Sequence, residues 1–172
     1  MSKEIHFTVI GAGHGGKAMA AHLGLMGFPT TLYNRTAEHV AAIKQLSGID
    51  LTCVNGGPCG FGKLTLVTSN IAEAIEHADM VMVVLPSSAH NDIAKACAPY
   101  LKDGQIVVLH PGRTCGAIEF VKVLRDEHCT ADVTVAEAET FIYASRSDGP
   151  AQSKIFRIKE AIPVAALPAT RT

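Results

Sequence analysis

Glu4–Ile5–His6–Phe7–Thr8–Val9–Ile10–Gly11–Ala12–Gly13–His14–Gly15–Gly16–Lys17–Ala18–Met19–Ala20 joins a short β-prone run, Ile5 to Ile10, to the spacing Gly11-x-Gly13-x-x-Gly16 and then to a small-residue, helix-compatible segment. Strand, tight turn and helix form the context in which this spacing binds a dinucleotide. Gly11 permits the sharp turn off the strand. Gly13, with no Cβ, lets a pyrophosphate approach the backbone, and Gly16 lets the helix pack close to the sheet. The free N–H groups and positive end of the helix then face the diphosphate. The candidate cradle is Gly11, Ala12, Gly13, His14, Gly15 and Gly16.

Outward from this stretch, strand and helix patterns alternate. Ala18, Ala21, His22 and Leu25 continue the helix, and Gly27–Phe28–Pro29 ends it. Thr30–Tyr33 is a strand. Ala37 to Leu46 is a helix with Val40, Ile43 and Leu46 on one face and Thr36 as N-cap. Ile49–Val54 and Lys63–Thr68 are the arms of a small hairpin around a mobile, glycine-rich loop, Asn55 to Gly62. Asn70 caps a helix through His77. The apolar run Met80 to Leu85 is a central parallel strand buried on both faces. Ser88 to Cys97 is helical, Gln105 to Leu109 is a buried strand, and Ala117 to Arg125 is a helix. Asp132–Ala136, Thr140–Ala144 and Ser153–Ile158 are strands. The predicted fold is α/β, a doubly wound (Rossmann) mostly parallel sheet with helices on both faces. Residues 1–160 form the dinucleotide-binding domain, and 161–172 an apolar, proline-punctuated tail or interdomain segment.

The 172 residues suit one domain and are too few for a typical two-domain dehydrogenase. Hydrophobic residues make up 48%, with no run approaching a membrane span. Met1–Ser2–Lys3 leads directly into the first strand and leaves no room for a signal peptide. A net charge of -1 gives no electrostatic case for nucleic acid or an anionic membrane. Cys53, Cys59, Cys97, Cys115 and Cys129 are scattered and contain no Cys-x-x-Cys pair, which suits reduced thiols in the cytoplasm. The eight histidines contain no His-x-x-x-His pair, so no metal site is expected.

Ligands of such sheets sit beyond the carboxyl ends of the strands. Asn34 occupies the position that reads the adenosine ribose, where an acid would repel a 2′-phosphate. With Asn34, Arg35 and Thr36 there, NADP is favoured over the alternative, NAD. Arg35 could instead stack on adenine or lie in solvent. Leu85, Pro86 and Ser87 lie where the nicotinamide half would run, and Ser87 or Ser88 could also cap a helix. His90, in the first turn of the following helix, reads as a pocket residue or, more simply, a surface histidine. Arg113 could bind a substrate carboxylate or the cofactor, or pair with Glu119 or Glu139. His110 is placed for acid or base work but has no assignable partner carboxylate. Glu137 and Glu139 with Thr140 form either a site edge or a solvated face.

Three runs resemble the N-terminal domain of the octopine/opine dehydrogenases: Val9–Ile10–Gly11–Ala12–Gly13–His14–Gly15–Gly16, His110–Pro111–Gly112–Arg113–Thr114–Cys115–Gly116–Ala117–Ile118–Glu119–Phe120 and Ala138–Glu139–Thr140–Phe141–Ile142–Tyr143–Ala144–Ser145–Arg146. The nucleotide domains of glycerol-3-phosphate dehydrogenase and ketopantoate reductase are more distantly similar. The glycine run is widely shared; the other two are more specific. The resemblance implies NAD(P)H-dependent reductive condensation of a 2-keto acid with an amino acid, an oxidoreductase chemistry acting on CH–NH bonds. It carries over Gly11, Gly13, Gly16, Pro86 and Arg113 as cofactor positions. The family's catalytic histidine and aspartate lie in a helical C-terminal domain outside these residues, so the catalytic residues here are unknown. Two classes of function follow. The chain is the cofactor half of an oxidoreductase, inactive alone, its tail covered by a catalytic domain or partner chain. Alternatively it is a free-standing NAD(P)-binding sensor or regulatory module. The coding sequence downstream of Thr172 would discriminate between them.

Overall fold

In the computed structural model, which describes residues 4–54 and 56–172, β-branched and aliphatic runs form the strands of two sheets. Asn55 of the expected loop and the expected run-in Met1–Ser2–Lys3 lie outside the described residues. The main sheet contains β1 (Phe7–Ile10), β2 (Thr30–Tyr33), β5 (Leu66–Thr68), β6 (Met80–Val83), β7 (Ile106–Leu109), β8 (Thr134–Ala138) and β11 (Val164–Leu167). Their order is β5-β2-β1-β6-β7-β8-β11, all parallel except β11, which pairs antiparallel with β8. The expected doubly wound sheet is therefore present. The segment 161–172 contributes its edge strand β11 and a short 3-10 turn at Ala169–Arg171.

The period of two along each strand divides the core. Ile10, Val81, Val83, Val107 and Leu109 point to the face covered by α3 (Ile71–Ile75), α4 (His90–Cys97) and α5 (Gly116–Asp126). There Ile93, Ala94 and Cys97 of α4 pack with Ala117, Phe120 and Leu124 of α5. Val9 and Leu32 point to the other face, with α1 (His14–Leu25) and α2 (Ala41–Leu46). Beyond α1 on the strands β6, β7, β8 and β11, a small cluster of Met80, Met82, Ile106, Val108, Ala136 and Ala166 consists of strand residues alone. Met80 and Met82 are only half-buried, so β6 is not enclosed on both faces as expected. The doubly wound topology sends α3, α4 and α5 to the opposite face.

A second sheet, which the sequence pattern does not reveal, lies over the outer side of α1. It consists of β3 (Gly48–Cys53), β4 (Gly60–Lys63), β9 (Tyr143–Gly149) and β10 (Gln152–Ile158), in the order β4-β3-β10-β9. β3 pairs antiparallel with β4 and parallel with β10. Helix α1 is therefore held between two sheets. Ala18, Ala20 and Ala21 are fully buried, and a Cβ on Gly62 of β4 would overlap the backbone of Ala21. A helix enclosed on both sides cannot show a one-sided apolar stripe, which explains its Gly- and Ala-rich composition.

Several boundaries differ from expectation. The hairpin arm is Gly60–Lys63; Leu66–Thr68 leaves it to extend the main sheet beside β2. The expected strand Thr140–Ala144 starts only at Tyr143, because Phe141 turns inward against α1. Ala37 to Leu46 is a 3-10 turn (Ala37–Val40) followed by α2, and the Thr36 side chain makes no capping bond. Asn70 does cap α3, its Oδ1 accepting from the Ala72 N–H at 3.0 Å.

The close approach of the second sheet makes a steric prediction. Gly62→Ala forces two backbones apart, a type of overpacking that costs about 1–3 kcal/mol. Thermal melts should show a Tm lower by roughly 2–12 °C. Gly13→Ala, where a Cβ meets nothing within 4 Å, should stay close to the native value. Equal shifts in the two variants would refute the two-sheet enclosure of α1.

Candidate functional site

β1 lies between β2 and β6, and the chain winds away from it in opposite directions on its two sides. This is the switch point of the sheet, and its carboxyl edge opens a crevice. The Gly11 N–H donates to Tyr33 O at 2.8 Å, and the Val84 N–H donates to Ile10 O at 2.9 Å, so the three loops above the crevice are fixed to one another. Gly11 has φ +109°, and a Cβ on it would stand 2.8 Å from Leu85 Cδ2. A Cβ on Gly16 would overlap Gly11 O, so the first turn of α1 rests directly on the turn before it. A Cβ on Gly15 would stand 2.7 Å from the Phe141 ring. Gly13 is different: a Cβ there meets nothing within 4 Å. As N-cap of α1 it makes no side-chain hydrogen bond, and the first turn holds no acid. The N-terminal N–H groups are thus open to an anion that comes close over Gly13.

Strand β9 clamps this helix start. His14 Nδ1 accepts from the Ser147 N–H at 2.9 Å, and Lys17 Nζ donates to Gly149 O at 3.1 Å. Further along, the His22 ring and the Tyr143 hydroxyl share a hydrogen bond of 2.8 Å. Burial lowers the pKa values of Lys17 and His22 and pushes the Tyr143 phenol up to about 12.

Beside the cradle is a cavity of about 240 Å³, walled on one side by the end of β2 and on the other by α4. It brings together Gly11, Asn34, Arg35, Thr36 and Leu85 from the expected site. Asn34 has a defined structural duty: its Oδ1 accepts from the Ala12 N–H at 3.2 Å and its Nδ2 donates to Thr36 O at 3.0 Å. The side chain thereby ties the β2 loop to the glycine turn. Arg35 is exposed at the rim. The sequence reading missed His39 and Asp92, which also line the cavity. The available signal for Asp92 was the spacing Ala89, Asp92, Ile93, Ala96, one helical face.

The remaining candidates separate. Pro86 and Ser87 are exposed on the loop after β6. Pro86, rather than a serine, begins the 3-10 turn Ser87–Ala89, and no side chain caps it. Arg113, at φ +58°, lines a different cavity of about 400 Å³ with Thr114, Glu137 and Glu139. It takes part in no ion pair among the described residues. Glu137 Oε2 accepts from the Ala117 N–H at 2.7 Å and so caps the start of α5. His90 is fully buried, not a surface residue, because the first turn of α4 faces the start of α5. His110 is 7% exposed, packs edge-on against Phe141 at 6.2 Å, and has no hydrogen-bond partner on either ring nitrogen. Burial lowers its pKa to about 4. Another cleft, of about 620 Å³, lies at the amino ends of the strands, away from the glycine turn, lined by Glu4, Glu76, Asp79 and Asp103 together with His6, His77 and Lys102. Among the described residues no three His, Cys, Asp or Glu side chains converge as a metal site, and no helix is long and apolar enough to cross a membrane.

Residues 6–112 match the family described as NAD-dependent glycerol-3-phosphate dehydrogenase N-terminus. The opine dehydrogenase of Arthrobacter sp. (strain 1C) is 35% identical over 165 residues, covering 96% of this chain and 45% of that protein. A solved octopine dehydrogenase in complex with NADH and agmatine superposes with a TM-score of 0.83 at 19% identity, over 95% of this chain and 42% of the other. A yersinopine dehydrogenase with NADP+ bound superposes at 0.79 with 16% identity, over 96% and 42%. At such identities the superpositions speak for the fold. The chain spans less than half the length of these relatives.

The buried His110 makes stability depend on pH. Its folded value, about 4, lies below the ordinary 6.5, so the unfolded chain takes up the proton first as pH falls. Stability is intact above pH 6.5 and is lost progressively from there to about pH 4, by up to about 3 kcal/mol. Melts between pH 7.5 and 4 should show a Tm slope that His110→Phe flattens. The same slope in both proteins would show that His110 is not the group responsible.

Proposed function

Because the chain belongs to the family of the NAD-dependent glycerol-3-phosphate dehydrogenase N-terminus, we propose that it binds a nicotinamide dinucleotide as the cofactor half of an opine dehydrogenase-like oxidoreductase. The observation that carries this reading is the contrast among the glycines: Gly11, Gly15 and Gly16 are packed against protein, and Gly13 faces open space at an uncapped helix start. That is the shape a diphosphate requires. The first-turn N–H groups donate to it, and the cavity between β2 and α4 takes the adenosine. Leu85, Pro86 and Ser87 border the nicotinamide half. Bound there, the dinucleotide supplies or accepts a hydride.

Arg35 and Thr36 face the 2′ position of the adenosine ribose, and with no acid at the end of β2 the site favours NADP(H) over NAD(H). Asn34, with both ends of its amide engaged, serves by holding the loop. A charge-assisted bond from Arg35 contributes roughly 1.5–3 kcal/mol, about ten- to a hundredfold in affinity. Calorimetric titration should give tighter binding of NADPH than NADH, and Arg35→Ala should weaken NADPH while sparing NADH. Gly13→Val should abolish binding of both in a folded protein. Equal affinities in the native chain, or equal losses in Arg35→Ala, would reject the NADP preference.

Reductive condensation of a keto acid with an amine also needs the substrate held against the nicotinamide and a group that moves protons. His110 stands near the right edge of the sheet, but no carboxylate bonds to either of its ring nitrogens to form an acid/base pair. The chain alone therefore binds cofactor without turnover. Steady NADPH oxidation by the purified chain, dependent on both a 2-keto acid and an amino acid, would disprove this. A second reading, a free-standing NAD(P)-binding sensor or regulatory module, is favoured by the tail 161–172 packing onto the domain as β11 along β8.

A further inference from the structure

We infer that Asp92 reads the exocyclic amine of the adenine, so that the site selects adenine dinucleotides against their 6-oxopurine counterparts; this rests on the dinucleotide reading above. The cavity has two unlike walls. The β2 wall carries Arg35, Thr36 and His39, groups that suit the ribose and a phosphate. The α4 wall is a single helical stripe, Ala89, Asp92, Ile93 and Ala96. Its alanines leave room for a flat ring, and Ile93 with Leu85 supplies apolar surface for the faces of that ring. Asp92 is the one carboxylate among the lining residues.

The ribose is held at the β2 end, so the part of the ligand that reaches the far wall is the base. An ionised carboxylate is an acceptor only. Facing position 6 of a purine, it accepts from the 6-amino group of adenine and repels a 6-oxo group; the N1–H of a 6-oxopurine, one ring position away, recovers part of that loss. Its charge also opposes a phosphate on the α4 side, which directs a 2′-phosphate toward Arg35. Asp92 enters no ion pair among the described residues. Its place in the first turn of α4 suits the helix dipole and would account for a small gain in stability. Helix stabilisation alone does not discriminate between bases.

The test uses the native chain, Asp92→Asn and Asp92→Ala, each titrated with NADPH and with reduced nicotinamide hypoxanthine dinucleotide phosphate. The native chain should prefer the adenine form by roughly five- to tenfold, because Asp92 is exposed and water screens its bond to the amine. Asp92→Asn, whose amide can donate to the 6-oxo group or accept from the 6-amino group, should bring the ratio below about threefold. Asp92→Ala should weaken the adenine form and leave the hypoxanthine form unchanged or improved. Thermal melts confirm that both variants fold. Equal binding of the two dinucleotides by the native chain, or a ratio that survives both substitutions, overturns the role of Asp92 and leaves the dinucleotide site standing. Failure of the native chain to bind either one overturns the site itself.

Discussion

The contact on which the structure depends is backbone against backbone: the first turn of α1 lying on the turn at Gly11, with Gly16 bare between them. The same helix meets a second backbone on its outer side, where Gly62 lies against Ala21. A helix with sheets on both flanks has almost no volume for side chains, and its fully buried alanines fill what there is. The small volume fixes the helix start in position and orientation. Its dipole and free N–H groups can then act as a rigid anion site at no cost in ordering. The bonds from β9 to His14 and Lys17 add to that rigidity without occupying the cradle.

The distribution of charge follows the same economy. The proposed diphosphate over Gly13 meets backbone dipoles, so it needs no cluster of buried cations. Arg35 stays at the rim, where its hydration is largely kept. Groups that are buried, such as His110 and Lys17, are pushed toward their neutral forms. Acids accumulate at the opposite edge of the sheet, near Glu4, Glu76, Asp79 and Asp103. The chain can therefore carry a net charge of -1 and still present a local site suited to a polyanion.

The parts of this arrangement that sequence exposes are local ones. The glycine spacing, the apolar run before Pro86 and the cap at Asn70 each state their geometry within a few residues, and β2 was legible residue for residue. The second sheet was not, because its strands come from 48–63 and 143–158 and only their joint packing on α1 reveals them. Nothing in Thr140–Phe141–Ile142 signals that Phe141 turns toward Gly15. His90 looked like a surface residue because a histidine in a first helical turn usually is one, and only the position of α5 buries it. At the candidate site, Arg35 and Gly11 come together along one cavity; the duty of Asn34 depends on Ala12 and Thr36 arriving beside it.

The parallel pairing of β3 with β10 joins Asp50 to Gln152, segments separated by roughly a hundred residues. Until β10 has been made, β3 has no neighbour on that side, and only the β3–β4 hairpin can cover the outer flank of α1. During synthesis the glycine turn is thus translated well before the strands that clamp it, which come from residues 143–158. Such long-range closure makes folding slow and leaves unpaired strand edges exposed while it waits. Premature termination upstream of residue 143 would release a chain with every glycine of the fingerprint but without the bonds from β9 to His14 and Lys17.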